Sequence, residues 1–236
     1  MSLSLNTVIR EDEIFIKTYG PKTPLWRYYI RCILDLIGVK QPVEYYNKYK
    51  RLKFECQTLR LWSGYGLNVP SIILQKDTAL YLSVIKGQTL SNIFSEFIDF
   101  DIVIKLFIDL NYRHILAFKY NEPRLCHIDA NLRNIMYCNH KIFHIDFEMG
   151  REYETVNLWA QREVSKLLIS LLRYAHSEYR DKVLDLFFEQ YEFKDVVTLL
   201  IASKIKSSNN TRKNNQNSLY NLVLDLQMRM DKANEN

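Results

Sequence analysis

Apolar positions change period several times along the 236 residues. Residues 6–19 alternate as two short strands, Thr7-Val8-Ile9 and then Glu13 to Tyr19, with Arg10-Glu11-Asp12 as the turn. Gly20-Pro21-Lys22-Thr23-Pro24 breaks that pattern. From Trp26 to Gly38 the spacing is helical (Trp26, Tyr29, Ile30, Ile33, Leu34, Ile37), and Gly38 is a natural stop. After Pro42 a second helix is predicted to about Ser63, because Tyr45, Tyr49, Leu52, Glu55, Leu59 and Trp62 recur at three or four. Gly64-Tyr65-Gly66 ends it. Ile72-Ile73-Leu74 and Ala79 to Ile85 read as a hairpin around Lys76-Asp77. Beyond Gly87 the texture turns helical, over 88–98, 101–119, 158–176, 179–191, 194–206 and 217–231. A loop-and-strand island at 125–148 interrupts it, and the polar run Ser207 to Asn217 reads as a loop. The pattern predicts a small β-containing half, residues 1–86, followed by a larger helical half, residues 87–236.

Composition narrows the class without naming a function. With 47% hydrophobic residues and only 6 Gly and 5 Pro, the chain is neither disordered nor collagen-like. No apolar run approaches the ~18 residues of a membrane-spanning helix. Met1 to Thr7 shows no signal-peptide pattern, so a cytoplasmic protein is expected. Cys32, Cys56, Cys126 and Cys138 form no CxxC pair and read as reduced thiols; Cys126, Cys138 and His140 match no zinc spacing. The net charge of +5 is unevenly placed. Residues 22–53 carry eight cations (Lys22, Arg27, Arg31, Lys40, Lys48, Lys50, Arg51, Lys53) against Asp35 and Glu44. That +6 stretch reads first as a solvated helix whose aromatics pack on the first half, with peripheral contact of residues 22–53 with an anionic membrane as its functional alternative; a nucleic-acid partner is not expected from it alone.

The island carries the candidate chemistry. It reads Cys126-His127-Ile128-Asp129-Ala130-Asn131-Leu132-Arg133-Asn134, then Ile142-Phe143-His144-Ile145-Asp146-Phe147-Glu148. This is His-x-Asp-x4-Asn, followed after a short apolar strand by Asp-Phe-Glu. Read blandly, His127 is a core histidine and the acids form turns. The combined string resembles the catalytic loop and metal-binding Asp of the protein-kinase-like superfamily. The resemblance implies that Asp129 orients the acceptor hydroxyl and takes its proton. It implies that Asn134 and Asp146 hold Mg²⁺ on the phosphates of ATP. Upstream, Ile14-Phe15-Ile16-Lys17 resembles the strand lysine that holds phosphates. Glu55 resembles its helix partner. Val84 to Lys86 resembles the hinge, whose backbone amides meet adenine. The likeness spans roughly residues 8 to 175 and implies an α+β, bilobal protein-kinase-like fold with a reduced β-containing N-lobe and a mainly helical C-lobe.

Within the superfamily the chain is most similar to small bacterial atypical kinases, especially lipopolysaccharide core (heptose and Kdo) kinases, through the short N-lobe and the Gly66-Leu67-Asn68-Val69-Pro70 step. Three features depart from the pattern: no glycine-rich loop precedes Lys17, Glu148 stands where Asp-Phe-Gly has glycine, and no Ala-Pro-Glu segment follows. The last two point away from a kinase regulated by loop phosphorylation. The resemblance therefore implies an ATP- and Mg²⁺-dependent phosphotransferase acting on a hydroxyl of a sugar, lipid-linked glycan or other small molecule. The alternatives are an atypical protein Ser/Thr kinase and a pseudokinase kept as a binding module.

Overall fold

The computed structural model describes residues 6–20, 48–149, 154–208 and 224–231. The helix expected over Trp26–Gly38, and with it most of the basic stretch, lies outside them, as does the greater part of the loop expected over Ser207–Asn217. The chain divides into two units. One comprises Met1–Lys86 and Ile145–Glu152, the other Gly87–His144 and Tyr153–Asn236. The segment Ile145–Glu152 thus belongs with the first half, although a division at residue 86 alone places it in the second.

In the first unit β1 (Asn6–Glu11) and β2 (Ile14–Tyr19) form an antiparallel hairpin. Glu11 pairs with Ile14, so the turn is Asp12-Glu13, two residues beyond where the turn chemistry was expected to begin. Asp12 takes φ 48°, a left-handed conformation that a short Asp side chain tolerates. α1 (Lys48–Gly64) follows, with Leu52, Glu55, Cys56, Leu59 and Trp62 on its buried face. The helix packs against the sheet, touching β2, β3 (Ile72–Gln75) and β4 (Ala79–Ser83). Gly66, at φ +72°, closes the helix end: Leu67 N–H reaches back to the Trp62 carbonyl at 3.0 Å. The sheet order is β1-β2-β4-β3, all antiparallel.

The second unit opens with β5 (Gln88–Thr89) and the single turn α2 (Leu90–Ile93). One helix was expected over 88–98, and the structure corrects this. Gln88 and Thr89 pair with Tyr137 and Met136, a tertiary strand contact that local periodicity cannot show. α3 (Phe100–Tyr120) starts on Asp99, whose Oδ1 accepts from the Asp101 and Ile102 amides, and ends on Asn121 at φ 49°. β6 (Ile135–Cys138) and β7 (Lys141–His144) complete a three-stranded sheet with β5. α4 (Val156–Leu172), α5 (Ser177–Gln190) and α6 (Lys194–Ser208) fall within a few residues of their expected spans, and 224–231 is helical. α3 packs on α5, and α4 on α6, around Val103, Leu106, Phe107, Leu110, Trp159, Val164, Leu168 and Phe187. The class is α+β, as expected: a β-rich first unit and a mainly helical second. Among the described residues no helix is long and apolar enough to cross a membrane.

Gly87 marks the start of the second unit for a steric reason. A Cβ there would stand 2.7 Å from the Cys138 Cβ and press on the Tyr137 carbonyl oxygen. Gly87→Ala is expected to destabilise the protein by about 1–3 kcal/mol, the usual cost of overpacking, read as a lower midpoint in denaturant.

Candidate functional site

In the first unit, three segments far apart in sequence meet on one ammonium. β2 carries Lys17 inward, α1 turns Glu55 toward it, and the segment after β7 brings Asp146. Lys17 Nζ lies 2.7 Å from Glu55 Oε2, 2.6 Å from Asp146 Oδ1 and 3.7 Å from Glu148 Oε2. Burial alone would lower the lysine's pKa, but the three carboxylates outweigh it and hold the group charged, above its ordinary value. Tyr19, two residues along the same strand face, donates its hydroxyl to Glu55 Oε2 at 2.5 Å. Burial and that carboxylate together push the phenol up. Lys17, Tyr19 and Glu55 are buried, whereas the Asp146 side chain is 37% exposed and presents an open carboxylate. Phe147 packs on Trp62 with ring centroids 4.6 Å apart. Asp146 itself has φ 65°, in the left-handed region that Asp enters more readily than most L-residues, as Asp12 also does.

The expected hinge is partly occupied. The Val84 amide donates to the Glu13 carbonyl at 3.0 Å, and Lys86 Nζ meets the Glu13 carboxylate at 2.7 Å on the surface.

The second unit holds the loop with Asp129 and Asn134. The Asn134 amide nitrogen donates to Asp129 Oδ2 at 3.0 Å and to the Asp129 carbonyl at 3.1 Å. The amide oxygen keeps its lone pairs to offer elsewhere. Asp129 Oδ1 is ion-paired with Lys166 of α4. Asn131 Oδ1 caps the Arg133 amide, and the Leu132 backbone is held by Ser170 Oγ at 3.1 Å and by the Ser91 amide at 3.0 Å. Beneath the loop, Glu163 is fully buried. It accepts from the His127 amide at 2.7 Å, from Arg113 Nη1 at 2.5 Å, and shares a 3.0 Å contact with His114 Nε2. Arg113 also reaches Asp109 at 2.8 Å, which His144 Nε2 meets at 2.8 Å. Burial pushes Glu163 up, yet Arg113, His114 and His127 outweigh it and hold the carboxyl down at about 2. Burial keeps His114 and His144 below their ordinary values.

The structure thus brings Lys17, Glu55 and Asp146 together in one unit, and Asp129 and Asn134 together in the other. Sequence reasoning missed Glu163, Lys166, Arg51, Glu148 and Tyr19. The signal for Glu163 was present, since it sits in register with the apolar face Trp159, Ala160, Val164 and Leu167. No signal marked Lys166.

No family model matches the chain, and no curated protein does. Among solved structures it is similar to the ADP-bound crystal structure of aminoglycoside phosphotransferase APH(2'')-Ib, with a TM-score of 0.40 and 13% identity, covering 95% of this chain and 90% of that one. A likeness of that size bears on no activity; the α+β class stands on the chain's own elements.

Two outcomes follow from the buried charges. Lys17→Met leaves Glu55 buried with its ammonium partner removed and is expected to cost about 3–5 kcal/mol in denaturant unfolding, whereas the double variant Lys17→Met, Glu55→Gln recovers most of it. Glu163 has a folded pKa below its unfolded value of about 4.5. Its stabilisation, on the order of 3 kcal/mol, is fully present above pH ~4.5 and is lost as pH falls toward ~2. Unfolding measured across that window should show a steep acid limb that flattens in Glu163→Gln.

Proposed function

We propose that this chain is an ATP-dependent phosphotransferase that moves the γ-phosphoryl group to a hydroxyl of a small molecule. The observation that carries the reading is the Lys17–Glu55–Asp146 cluster. A buried, permanently charged ammonium stands beside an exposed carboxylate, built from residues 38 and 129 positions apart. Lys17 supplies the positive charge for nucleotide phosphates, and Glu55 fixes its direction. Asp129, held on one oxygen by Asn134 and on the other by Lys166, has the fixed orientation that an acceptor hydroxyl requires of a proton-taking group. With the Val84 amide engaged by Glu13, the adenine contacts fall to other backbone groups of 84–86.

The residues fit a hard divalent cation. Three carboxylates lie within 4.8 Å of one another; Glu55 is engaged by Lys17 and Tyr19 and Glu148 by Asn6 and Arg51, which leaves Asp146 to offer the hard oxygen donor Mg²⁺ prefers. Asp146 is the most open of the three. In the second unit, the Asn134 amide oxygen is a donor of the same hard kind. When bound, Mg²⁺ would neutralise charge on the phosphate oxygens.

For the acceptor, a sugar or lipid-linked glycan accords with the resemblance to lipopolysaccharide core kinases, and the protein would act at the cytoplasmic side of a membrane. One observation favours a second reading, a kinase-shaped binding module. The β1–β2 turn is two residues long and holds no glycine, so nothing there covers phosphates as a glycine-rich loop does.

Variants separate the readings. Asp129→Ala is expected to lower turnover by roughly 10²-fold or more while nucleotide-induced thermal stabilisation persists. Asp146→Ala should lose the Mg²⁺-dependent part of that stabilisation as well. Mg-ATP binding with no phosphoryl transfer across a screen of sugars and peptides would favour the binding module.

A further inference from the structure

Glu148 occupies the position at which the sequence departs from Asp-Phe-Gly, and the structure gives it three partners. Its Oε2 accepts from the Asn6 side-chain amide of β1 and from Arg51 Nη1 of α1 at 3.2 Å, and it lies 3.7 Å from Lys17 Nζ. Arg51 is fully buried. It also donates from Nη1 to Asn6 Oδ1 at 3.1 Å and from Nη2 to the Gly20 carbonyl at 2.5 Å. The guanidinium therefore joins the ends of β1 and β2 to the carboxylate of Glu148. Asp146, two residues before Glu148, is the residue held at φ 65°.

These facts bear on one another through the backbone. Asp tolerates a left-handed conformation without being held to it, so where the Asp146 carboxylate points depends on what fixes the residues that follow. Phe147 on Trp62 is one anchor, and it is apolar and non-directional. The Glu148 carboxylate is the directional one, with charge-assisted bonds to the buried Arg51 and to Asn6 of β1. We propose that Glu148 is a positioning residue which, through Arg51 and Asn6, holds the Asp146 backbone in its left-handed conformation and keeps the Asp146 carboxylate aimed at the phosphate-binding position beside Lys17. The site is then assembled permanently rather than by a movable loop. This inference rests on the phosphotransferase reading, in which Asp146 serves the metal-bound nucleotide.

A glycine at 148 offers neither charge nor side chain, so the anchor disappears. Glutamine keeps the size and an accepting oxygen but loses the charge. The distinguishing quantity is the gain in ATP affinity that Mg²⁺ confers. It depends on where Asp146 points, whereas general loosening of the unit weakens ATP with or without the cation.

The test measures ATP binding by calorimetry in Mg²⁺ and in EDTA for the full chain and for Asp146→Ala, Glu148→Gln and Glu148→Gly. Glu148→Gly is expected to lose about tenfold or more in Mg-ATP affinity, and Glu148→Gln a smaller part, as for partners that orient a metal ligand. In EDTA both should change by a smaller factor than in Mg²⁺, so that the gain in ATP affinity conferred by the cation falls. Loss of equal size in Mg²⁺ and EDTA would mean that Glu148 only supports the fold, and overturns the proposal. So does parental Mg-ATP binding by both Glu148 variants while Asp146→Ala loses it, an outcome that leaves the phosphotransferase reading intact. Parental binding by Asp146→Ala would remove that reading and this inference with it. Should Glu148→Gly fail to fold, Glu148→Gln carries the same comparison.

Discussion

A charged lysine only 7% exposed to solvent cannot stand alone, and the first unit is arranged around meeting that requirement for Lys17. Desolvating the lysine is unfavourable, and it is offset only by carboxylates at contact distance. Those carboxylates come from outside the sheet. Glu55 arrives on a helix 38 residues later, and Asp146 on a segment a further 91 residues along, which explains why Ile145–Glu152 groups with this unit and not with the strands that precede it. Such a pair adds little net stability compared with an apolar replacement. Its effect is on the chain path: only one that delivers Glu55 and Asp146 to Lys17 leaves the buried ammonium with these partners.

The second unit applies the same rule with the sign reversed. There the buried charge is a carboxylate, Glu163, and the donors are Arg113, His114 and the backbone amide of His127. Because one of those donors belongs to the loop carrying Asp129, the network that neutralises Glu163 also fixes where that loop begins. Lys166, on the same helix as Glu163 and 43% exposed, then meets Asp129 from the solvent side. A helix with an acid below and a cation above thus sets both the position of the loop and the charge around its aspartate.

Local chemistry made much of this legible. Turn residues marked the helix end at Gly66, and the three-to-four spacing of Leu52, Glu55, Leu59 and Trp62 fixed which side of α1 is buried. The roles expected of Asp129, Asn134 and Asp146 came from the resemblance of their spacing to the protein-kinase-like pattern. Gln88 and Thr89 were not legible, because their strand partners lie 49 and 47 residues away and two residues carry no period. The Val84 amide bond to Glu13 is likewise a contact across the sheet's end rather than a property of either segment.

The sequence by itself determined the α+β class and the order of most of the described elements, β5 excepted, since these follow from period and turn chemistry within a few residues of one another. Only the tertiary structure decided which charges are compensated by which partners. Glu55 reads the same as an exposed helical acid beside Arg51 as it does against Lys17, and Glu148 reads as a mere departure from glycine. Burial separates those meanings: once water is excluded, each ionic group must find a partner within about 3 Å or destabilise the fold, and the partners available are set by long-range packing that no local pattern contains.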